Sequence, residues 1–136
     1  MIGEITFTEP EGVIYRESGS AVISELKDYF HGLRKEFTPG LVHVSGITPF
    51  RKSVYEELLK VPFGEVVTYK ELALRVGKPG GARAVGQAMS VNPFPIVIPC
   101  HRVIASDGKL GGYSEGIYIK IKLLEFEKSR KKYQNY

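Results

Sequence analysis

The sequence predicts an α+β protein. A small N-terminal segment of strands and one helix, residues 1–45, is expected to precede a mainly helical domain with a helix-turn-helix, residues 46–136. Apolar residues recur at helical spacing in several separate segments. Two of these segments are short and are joined by a Gly/Pro-containing turn, which is typical of a helix-turn-helix. A length of 136 residues with 43% hydrophobic residues is enough for a substantial core.

The N-terminal segment combines two predicted strands with an amphipathic helix. In residues 2–17, IGEITFTEPEGVIYRE, β-branched and aromatic residues flank a Pro/Gly turn, which predicts two short strands. Residues 20–33, SAVISELKDYFHGL, predict a helix that ends near Gly32. Residues 38–47, TPGLVHVSGI, are predicted to be a linker. The positions of the helix expected to face inward are Val22, Leu26, Tyr29, Phe30 and Leu33.

The C-terminal domain is expected to begin and to end with helices. Thr48 is a suitable N-cap, and Pro49 suits the first helical position because its missing N–H needs no partner there. Residues 117–130, IYIKIKLLEFEKSR, predict the closing helix. The apolar positions expected to be buried in the first helix are Phe50, Val54, Leu58 and Val61. Those expected in the last are Ile117, Ile121 and Leu124, with Leu123 as a further candidate.

The predicted helix-turn-helix lies between these two helices. Thr68 and Glu71 form a capping-box pattern at the start of the first helix, and Gly77 supplies its stop. The second helix, from about Gly81 to Ser90, follows the turn KPGG. Its side chains are mostly small, with Arg83 as the first large polar one. Small residues at helical spacing indicate either tight packing against a neighbouring helix or close approach of the backbone to a nucleic acid.

Cys100 is the only cysteine in the chain. The preceding FPIVI, residues 94–98, is a candidate strand, and Pro99 is expected to end it and to hold Cys100 on a sharp turn. His101 and Arg102 then place basic groups beside the sulfur, which favours the thiolate. A lone cysteine is otherwise most often a small buried hydrophobe. Because neighbouring residues of a strand point to opposite faces, we expect a water to connect Cys100 with His101.

Composition excludes several classes of function. A single cysteine excludes an intramolecular disulfide and a zinc site with several cysteines, and no metal is expected. No apolar stretch is long enough to cross a bilayer, and the acidic start MIGEITFTEPEG is unlike a signal peptide, so we expect a cytoplasmic protein. The net charge of +4 and the pI near 9.1 permit a polyanionic partner without establishing one.

Four ordered motifs give the sequence a specific resemblance. They are FGEVVTY at 63–69, ARAVGQAM at 82–89, PCHRV at 99–103 preceded by NPFPIVI, and GGYSEG at 111–116. Over roughly residues 48–127 the chain resembles the O6-alkylguanine-DNA alkyltransferase family. The resemblance implies a DNA repair protein that moves an alkyl group from O6 of guanine irreversibly to its own cysteine, once per molecule, without a cofactor.

The resemblance also implies roles for residues around the thiol. Cys100 is the implied alkyl acceptor, His101 the base acting through a water, and Glu127 the acid that orients the imidazole. Asn92 is implied to brace the turn. Tyr69 is implied to donate a hydrogen bond to the departing guanine, and the N–H of Ser114 to support O6.

The remaining implied roles concern the guanine base and the DNA. The carbonyls of Cys100 and Val103 are expected to receive the exocyclic amine of guanine, and Tyr113 to form a wall of the pocket. A monomer is expected to bind double-stranded DNA through the minor groove and to turn the damaged base out of the stack. Arg83 would fill the vacated space. The small residues expected to let this helix enter the groove are Ala82, Ala84 and Gly86.

The sequence departs from the family in two places. Its N-terminal portion of about 45 residues is shorter than the usual first domain, and a tryptophan common in the last helix is absent, with Lys122 near that position. One alternative is a DNA-binding protein that senses or regulates and has an inert Cys100. Another is a cysteine hydrolase using Cys100 and His101, although no oxyanion-hole motif accompanies that pair.

Overall fold

The computed structural model describes residues 15–39, 46–111 and 116–133, and the chain divides into two compact units, residues 1–48 and 49–136. In the first unit, helix α1 spans Tyr15–Phe30 and is followed by turns. The Glu25 carboxylate accepts hydrogen bonds from the backbone and hydroxyl of Thr38 and pairs with Arg34 at 3.1 Å. The residues after the helix are therefore tied back to its third turn.

Some predictions for the first unit are wrong. The two strands are predicted within residues 2–17, but residues 15–17 belong to α1, and the rest of that range lies outside the described residues. Phe30 is exposed at the end of the helix, and Leu33 is 76% exposed beyond it. Helical spacing places a residue on a face only as far as the helix continues, and α1 ends before Leu33. Val22 and Tyr29 are buried as predicted.

The second unit is mainly helical, with one very small parallel sheet. Its helices are α2 (Pro49–Leu58), α3 (Tyr69–Arg75), α4 (Ala82–Ser90) and α5 (Ile117–Tyr133). Strand β1 (Val67–Thr68) pairs in parallel with β2 (Val103–Ile104), with Val67 opposite Val103 and Thr68 opposite Ile104. The α+β fold class is confirmed. None of the helices in the described residues is long and apolar enough to span a membrane.

The helix-turn-helix is formed by α3 and α4. Thr68 Oγ1 accepts the Glu71 N–H at 2.9 Å, and Glu71 Oε1 accepts the Thr68 N–H at 3.0 Å, so the predicted capping box is present. In the turn, the N–H of Gly81 donates to the Lys78 carbonyl at 2.7 Å. The inward side chains of α4 are Val85, Ala88 and Met89. Helix α4 therefore packs through only part of its surface.

Two predictions for the second unit are wrong. FPIVI forms no strand; it is a loop of turns with a bridge between Pro95 and Ile98, since proline removes ladder donors and none of the described strands pairs with it. The buried face of α5 holds Lys120, Leu123 and Glu127, whereas Ile117 is exposed. Hydrophobicity alone misassigns this helix because Lys120 and Glu127, two of the three buried side chains among residues 117–130, are charged.

Candidate functional site

Cys100 begins a short 3-10 turn, Cys100–Arg102, which we call the thiol turn. The Cys100 N–H donates to the Ile98 carbonyl at 2.7 Å, and the Arg102 N–H donates to the Pro99 carbonyl at 2.9 Å. The sharp turn predicted after Pro99 is therefore present. The cysteine is 2% exposed, so its sulfur is shielded from bulk solvent. Its charge acts on Tyr55, Tyr69 and Lys120, whose pKa values it raises.

Asn92 holds the loop that leads into the thiol turn. Its Nδ2 donates to the Ile98 carbonyl at 2.8 Å, and its Oδ1 accepts the Phe94 N–H at 2.9 Å. The predicted side-chain bonds to the backbone are thus both made. Within this loop Ile96 has φ of +77°, an unfavourable conformation for a β-branched residue. The loop keeps this strain because Asn92 fixes it on both sides.

His101 and Glu127 form a fully buried pair. His101 Nε2 lies 2.7 Å from Glu127 Oε2, and both side chains are excluded from solvent. Glu127 comes from the middle of α5, so the pair joins the last helix to the thiol turn. His101 Nδ1 is also buried and has no hydrogen-bond partner within the described part of the protein. The sequence prediction of an acidic partner for His101 therefore agrees with the geometry.

Arg102 completes this cluster and was misplaced by sequence reasoning. Its Nε donates to Glu127 Oε1 and its Nη2 to Glu127 Oε2, both at 2.8 Å, which is a bidentate pair. Its Nη1 donates to the Val61 carbonyl at 2.8 Å. Arg102 was predicted to place positive charge beside the sulfur, but its guanidinium is directed at Glu127 instead. The carboxylate also accepts the Gly64 N–H at 3.2 Å.

The charges in this cluster determine which nitrogen of His101 carries the proton. Burial raises the pKa of Glu127, but hydrogen bonds and charge from His101 and Arg102 outweigh burial and lower it from 4.5 to about 2. Burial lowers the pKa of His101, against the opposing effect of Glu127. Because burial outweighs the effect of Glu127, and the charge of Arg102 also opposes protonation, the imidazole stays neutral and donates through Nε2. Its Nδ1 is then a proton acceptor, which is the state a general base requires.

Tyr69 is the first residue of α3, directly after the Thr68 cap. Burial, and secondarily the charge of Cys100, raises the pKa of its hydroxyl, which therefore stays protonated and able to donate. The ring lies between two glycines. A Cβ at Gly111 would lie 2.9 Å from Tyr69 Cε2 and 3.0 Å from its hydroxyl, and one at Gly86 would lie 3.9 Å from Cε1. The backbone at Gly111 thus approaches the ring as closely as glycine permits.

Lys120 is a site residue that sequence reasoning missed. It is fully buried in α5, where its Nζ donates to the Val103 carbonyl at 2.6 Å and to the Leu110 carbonyl. Nζ also lies 5.8 Å from the centre of the Tyr69 ring. Burial lowers the pKa of Lys120 from 10.5 to about 8, against the effect of Cys100. The available signal was its spacing, three and seven residues before Leu123 and Glu127, but lysine is normally assigned to the surface.

The other predicted residues divide into described and undescribed ones. Val103 begins β2, and its carbonyl accepts a hydrogen bond from Lys120. On α4, Arg83 and Ala84 are exposed, and Ala82 and Gly86 are partly exposed. Arg83 and Ala84 therefore lie away from the buried face of the helix, and Ala82 and Gly86 lie at its margin. Tyr113 and Ser114 lie outside the described residues.

The sequence matches a known protein family and several curated relatives. The profile of the family described as "6-O-methylguanine DNA methyltransferase, DNA binding domain" matches residues 49–129. A methylated-DNA–protein-cysteine methyltransferase of Methanosarcina barkeri is 49% identical over 105 residues, which are 77% of this chain and 65% of that protein. The chain spans about two thirds of the length of the curated relatives first matched.

Two solved structures have a similar fold. Mycobacterium tuberculosis OGT in complex with DNA superposes with a TM-score of 0.75 at 46% identity, covering 82% of this chain and 66% of that one. S. pombe Atl1, in complex with damaged DNA containing O6-carboxymethylguanine, superposes with a TM-score of 0.54 at 40% identity, covering 61% of this chain and 79% of that one. By its fold and its sequence, the chain belongs to the 6-O-methylguanine DNA methyltransferase family.

Proposed function

We propose that this protein repairs DNA by transferring an alkyl group from O6 of guanine to the sulfur of Cys100. The observation that carries the proposal is the buried cluster of His101, Glu127 and Arg102 next to the chain's single thiol. Such a cluster leaves one imidazole nitrogen as a base beside the cysteine. Membership in the family supports both the proposed alkyl transfer and O6-alkylated guanine as its substrate.

The cluster would generate the nucleophile. His101 Nδ1 would take the proton of the Cys100 thiol by way of a water, and Glu127 would stabilise the imidazolium through Nε2. The thiolate then attacks the alkyl carbon, so that a C–S bond forms as the C–O6 bond breaks. The electron pair of that bond remains on guanine, which accepts a proton. The thioether is not cleaved again, so each molecule reacts once.

The leaving guanine would be held by groups around the thiol. The Tyr69 hydroxyl, kept protonated by its raised pKa, would donate to a ring nitrogen of the base. The carbonyls of Val103 and Cys100 would accept the exocyclic amine. The backbone N–H of Ser114 would support O6, and Tyr113 would form a wall of the pocket.

The DNA would be bound through the outward face of α4. This face carries the small residues Ala82, Ala84 and Gly86, which leave room for the backbone of the helix in a narrow minor groove. The exposed Arg83 would occupy the space left by the extruded base. The net charge of +4 favours phosphate contacts. We propose that the protein acts as a monomer, since one chain supplies both the DNA-binding helix and the thiol. We also propose that it acts in the cytoplasm.

A second candidate is a DNA-binding protein that recognises alkylated DNA without transfer. The structural similarity to Atl1, whose solved complex contains damaged DNA, favours this candidate. The presence of Cys100 next to His101, whose imidazole is hydrogen-bonded to Glu127, favours transfer instead. Both candidates use the same α4 face, so only the fate of the alkyl group separates them.

The test is to incubate the full chain with a duplex containing O6-methylguanine and to measure the intact protein mass. Transfer adds one CH2 unit, and peptide mapping should place it on Cys100. Cys100→Ser should bind the same duplex with similar affinity and gain no mass. Binding without a mass gain in the wild-type protein would instead establish the sensing function.

A further inference from the structure

Tyr55 is a buried hydroxyl that the proposed reaction does not use. It lies in α2 and is 1% exposed, and its Oη donates to the Ala88 carbonyl at 2.6 Å. Ala88 lies near the C-terminal end of α4, where carbonyls lose their helical partners. The Asn92 N–H, which a longer helix would direct at Ala88, donates to the Met89 carbonyl instead, at 3.2 Å. Tyr55 thus supplies a donor from another helix.

The end of α4 is also where the proposed DNA-binding helix meets the thiol segment. Two residues after α4, Asn92 holds both sides of the loop that enters the thiol turn. Cys100 itself lies close enough to Tyr55 for its charge to act on the tyrosine hydroxyl. The hydrogen bond of the Tyr55 hydroxyl therefore joins α2 to α4 at the point from which the chain continues to the nucleophile.

The hydroxyl is not needed to fill the core. Phenylalanine would occupy nearly the same volume, and the net stability gained from a hydrogen bond is only about 1 kcal/mol. Its removal would, however, leave the Ala88 carbonyl buried without this donor, since Ala88 is fully buried. The part of the structure that such a loss would affect first is the last turn of α4 and Asn92.

We propose that Tyr55 is a positioning residue that holds the C-terminal end of α4 and thereby sets the placement of the DNA-binding face relative to Cys100. This inference rests on the proposed function. It predicts that the hydroxyl matters for a base presented in a duplex, which must reach the thiol while α4 is bound to DNA. It should matter much less for a free base, which can diffuse into the site.

The experiment compares Tyr55→Phe with the wild-type protein in two single-turnover reactions, one with an O6-methylguanine duplex and one with free O6-benzylguanine. We expect the rate with the duplex to fall about tenfold, as the loss of one buried hydrogen bond allows. The rate with the free base should fall less than about threefold. Hydrogen exchange of the Val91 and Asn92 amides should accelerate, because the end of α4 opens more often.

Val54→Ala is the matched control. Val54 is fully buried beside Tyr55 in α2, and its truncation destabilises the unit without removing the hydroxyl. It should slow both reactions to the same extent. The deciding quantity is the rate with the duplex divided by the rate with the free base. The inference would be overturned if Tyr55→Phe left this ratio unchanged, or if Val54→Ala changed it to the same extent. If the wild-type protein transfers from neither substrate, the proposed function fails, and unchanged amide exchange in Tyr55→Phe then overturns the positioning role separately.

Discussion

At the scale of single residues, the site depends on one carboxylate shared by two basic side chains. Arg102 occupies both oxygens of Glu127, and His101 approaches one of them. A carboxylate paired with histidine alone would favour the imidazolium and so occupy the base with a proton. Burial of the imidazole opposes that tendency most strongly, and the charge of Arg102 opposes it further. The site can therefore keep a neutral histidine in the interior.

Lys120 should give the protein an unusual stability profile at alkaline pH. Its pKa is 10.5 in an unfolded chain and about 8 when folded, so between these values the unfolded state binds more protons. Stability conferred by this group therefore rises as the pH increases from about 8 to 10.5. The difference in free energy of unfolding between wild type and Lys120→Met should grow by about 3 kcal/mol across that range. Chemical denaturation at several pH values measures it.

Lys122→Met is the control for this measurement. It removes the same charge from the same helix, but Lys122 is exposed beside the ring of Tyr118. Its difference from wild type should stay constant from pH 8 to pH 10.5. An equally constant difference for Lys120→Met would contradict the depressed pKa and the burial of a charged ammonium.

At the scale of elements, the site requires a close approach between the start of α3 and the segment after β2. Gly111 has φ of +70° and faces the Tyr69 ring at a distance that a Cβ could not occupy. Gly108 has a similar φ of +86° with nothing within 4 Å of its Cβ position. Comparing alanine substitutions at these two glycines therefore separates the free-energy cost of the backbone conformation from the cost of a steric clash with Tyr69.

Gly111→Ala should be more damaging than Gly108→Ala. Both variants have an alanine in the left-handed region, at a cost of about 1–2 kcal/mol. Only Gly111→Ala must also displace Tyr69, at a further cost of about 1–3 kcal/mol. Thermal unfolding should rank the variants in that order, and single-turnover transfer should be impaired in Gly111→Ala alone. Equal stability and equal transfer rates would contradict the close contact.

Elements that are formed by interactions between residues close in sequence were predicted correctly, and elements that depend on distant residues were not. The Pro49 helix start and the Thr68–Glu71 capping box are decided within a few residues, and both are present. FPIVI was misread because a strand needs a partner that the segment itself does not reveal. The β1–β2 pair was missed for the same reason. The buried face of α5 was misassigned because Lys120 finds its partners at Val103 and Leu110.

For the candidate site, motif resemblance supplied more than local pattern. The pairing of His101 with Glu127 was implied by the family resemblance. Their spacing in the sequence does not show that the thiol turn packs against α5. Arg102 was predicted by residue type to place a charge near the sulfur, and no role was predicted for Lys120. Their roles depend on which distant acceptor each side chain reaches, and only the folded chain determines that.

At the scale of the whole molecule, the buried cluster joins the last helix to the middle of the chain, so its protonation should affect global stability. Glu127 has a pKa of about 2 when folded against 4.5 when unfolded, so its contribution is complete above about pH 4.5 and is lost as the pH falls toward 2. The shift corresponds to about 3 kcal/mol. The lowered pKa of His101 acts in the same direction, beginning below its unfolded value of 6.5.

Glu127→Gln should therefore lower the free energy of unfolding at neutral pH and make that free energy less dependent on pH under acidic conditions. Without the carboxylate, Arg102 becomes an uncompensated buried charge, which costs about 3–5 kcal/mol in free energy of unfolding. Between pH 4.5 and pH 2 the variant should lose less stability than the wild-type protein, because the group that takes up the proton is gone. Glu125→Gln, an exposed position on the same helix, should follow the wild-type curve throughout. Urea unfolding at a series of pH values provides the comparison, and parallel acid slopes for wild type and Glu127→Gln would show that this carboxylate does not link the site to the stability of the fold.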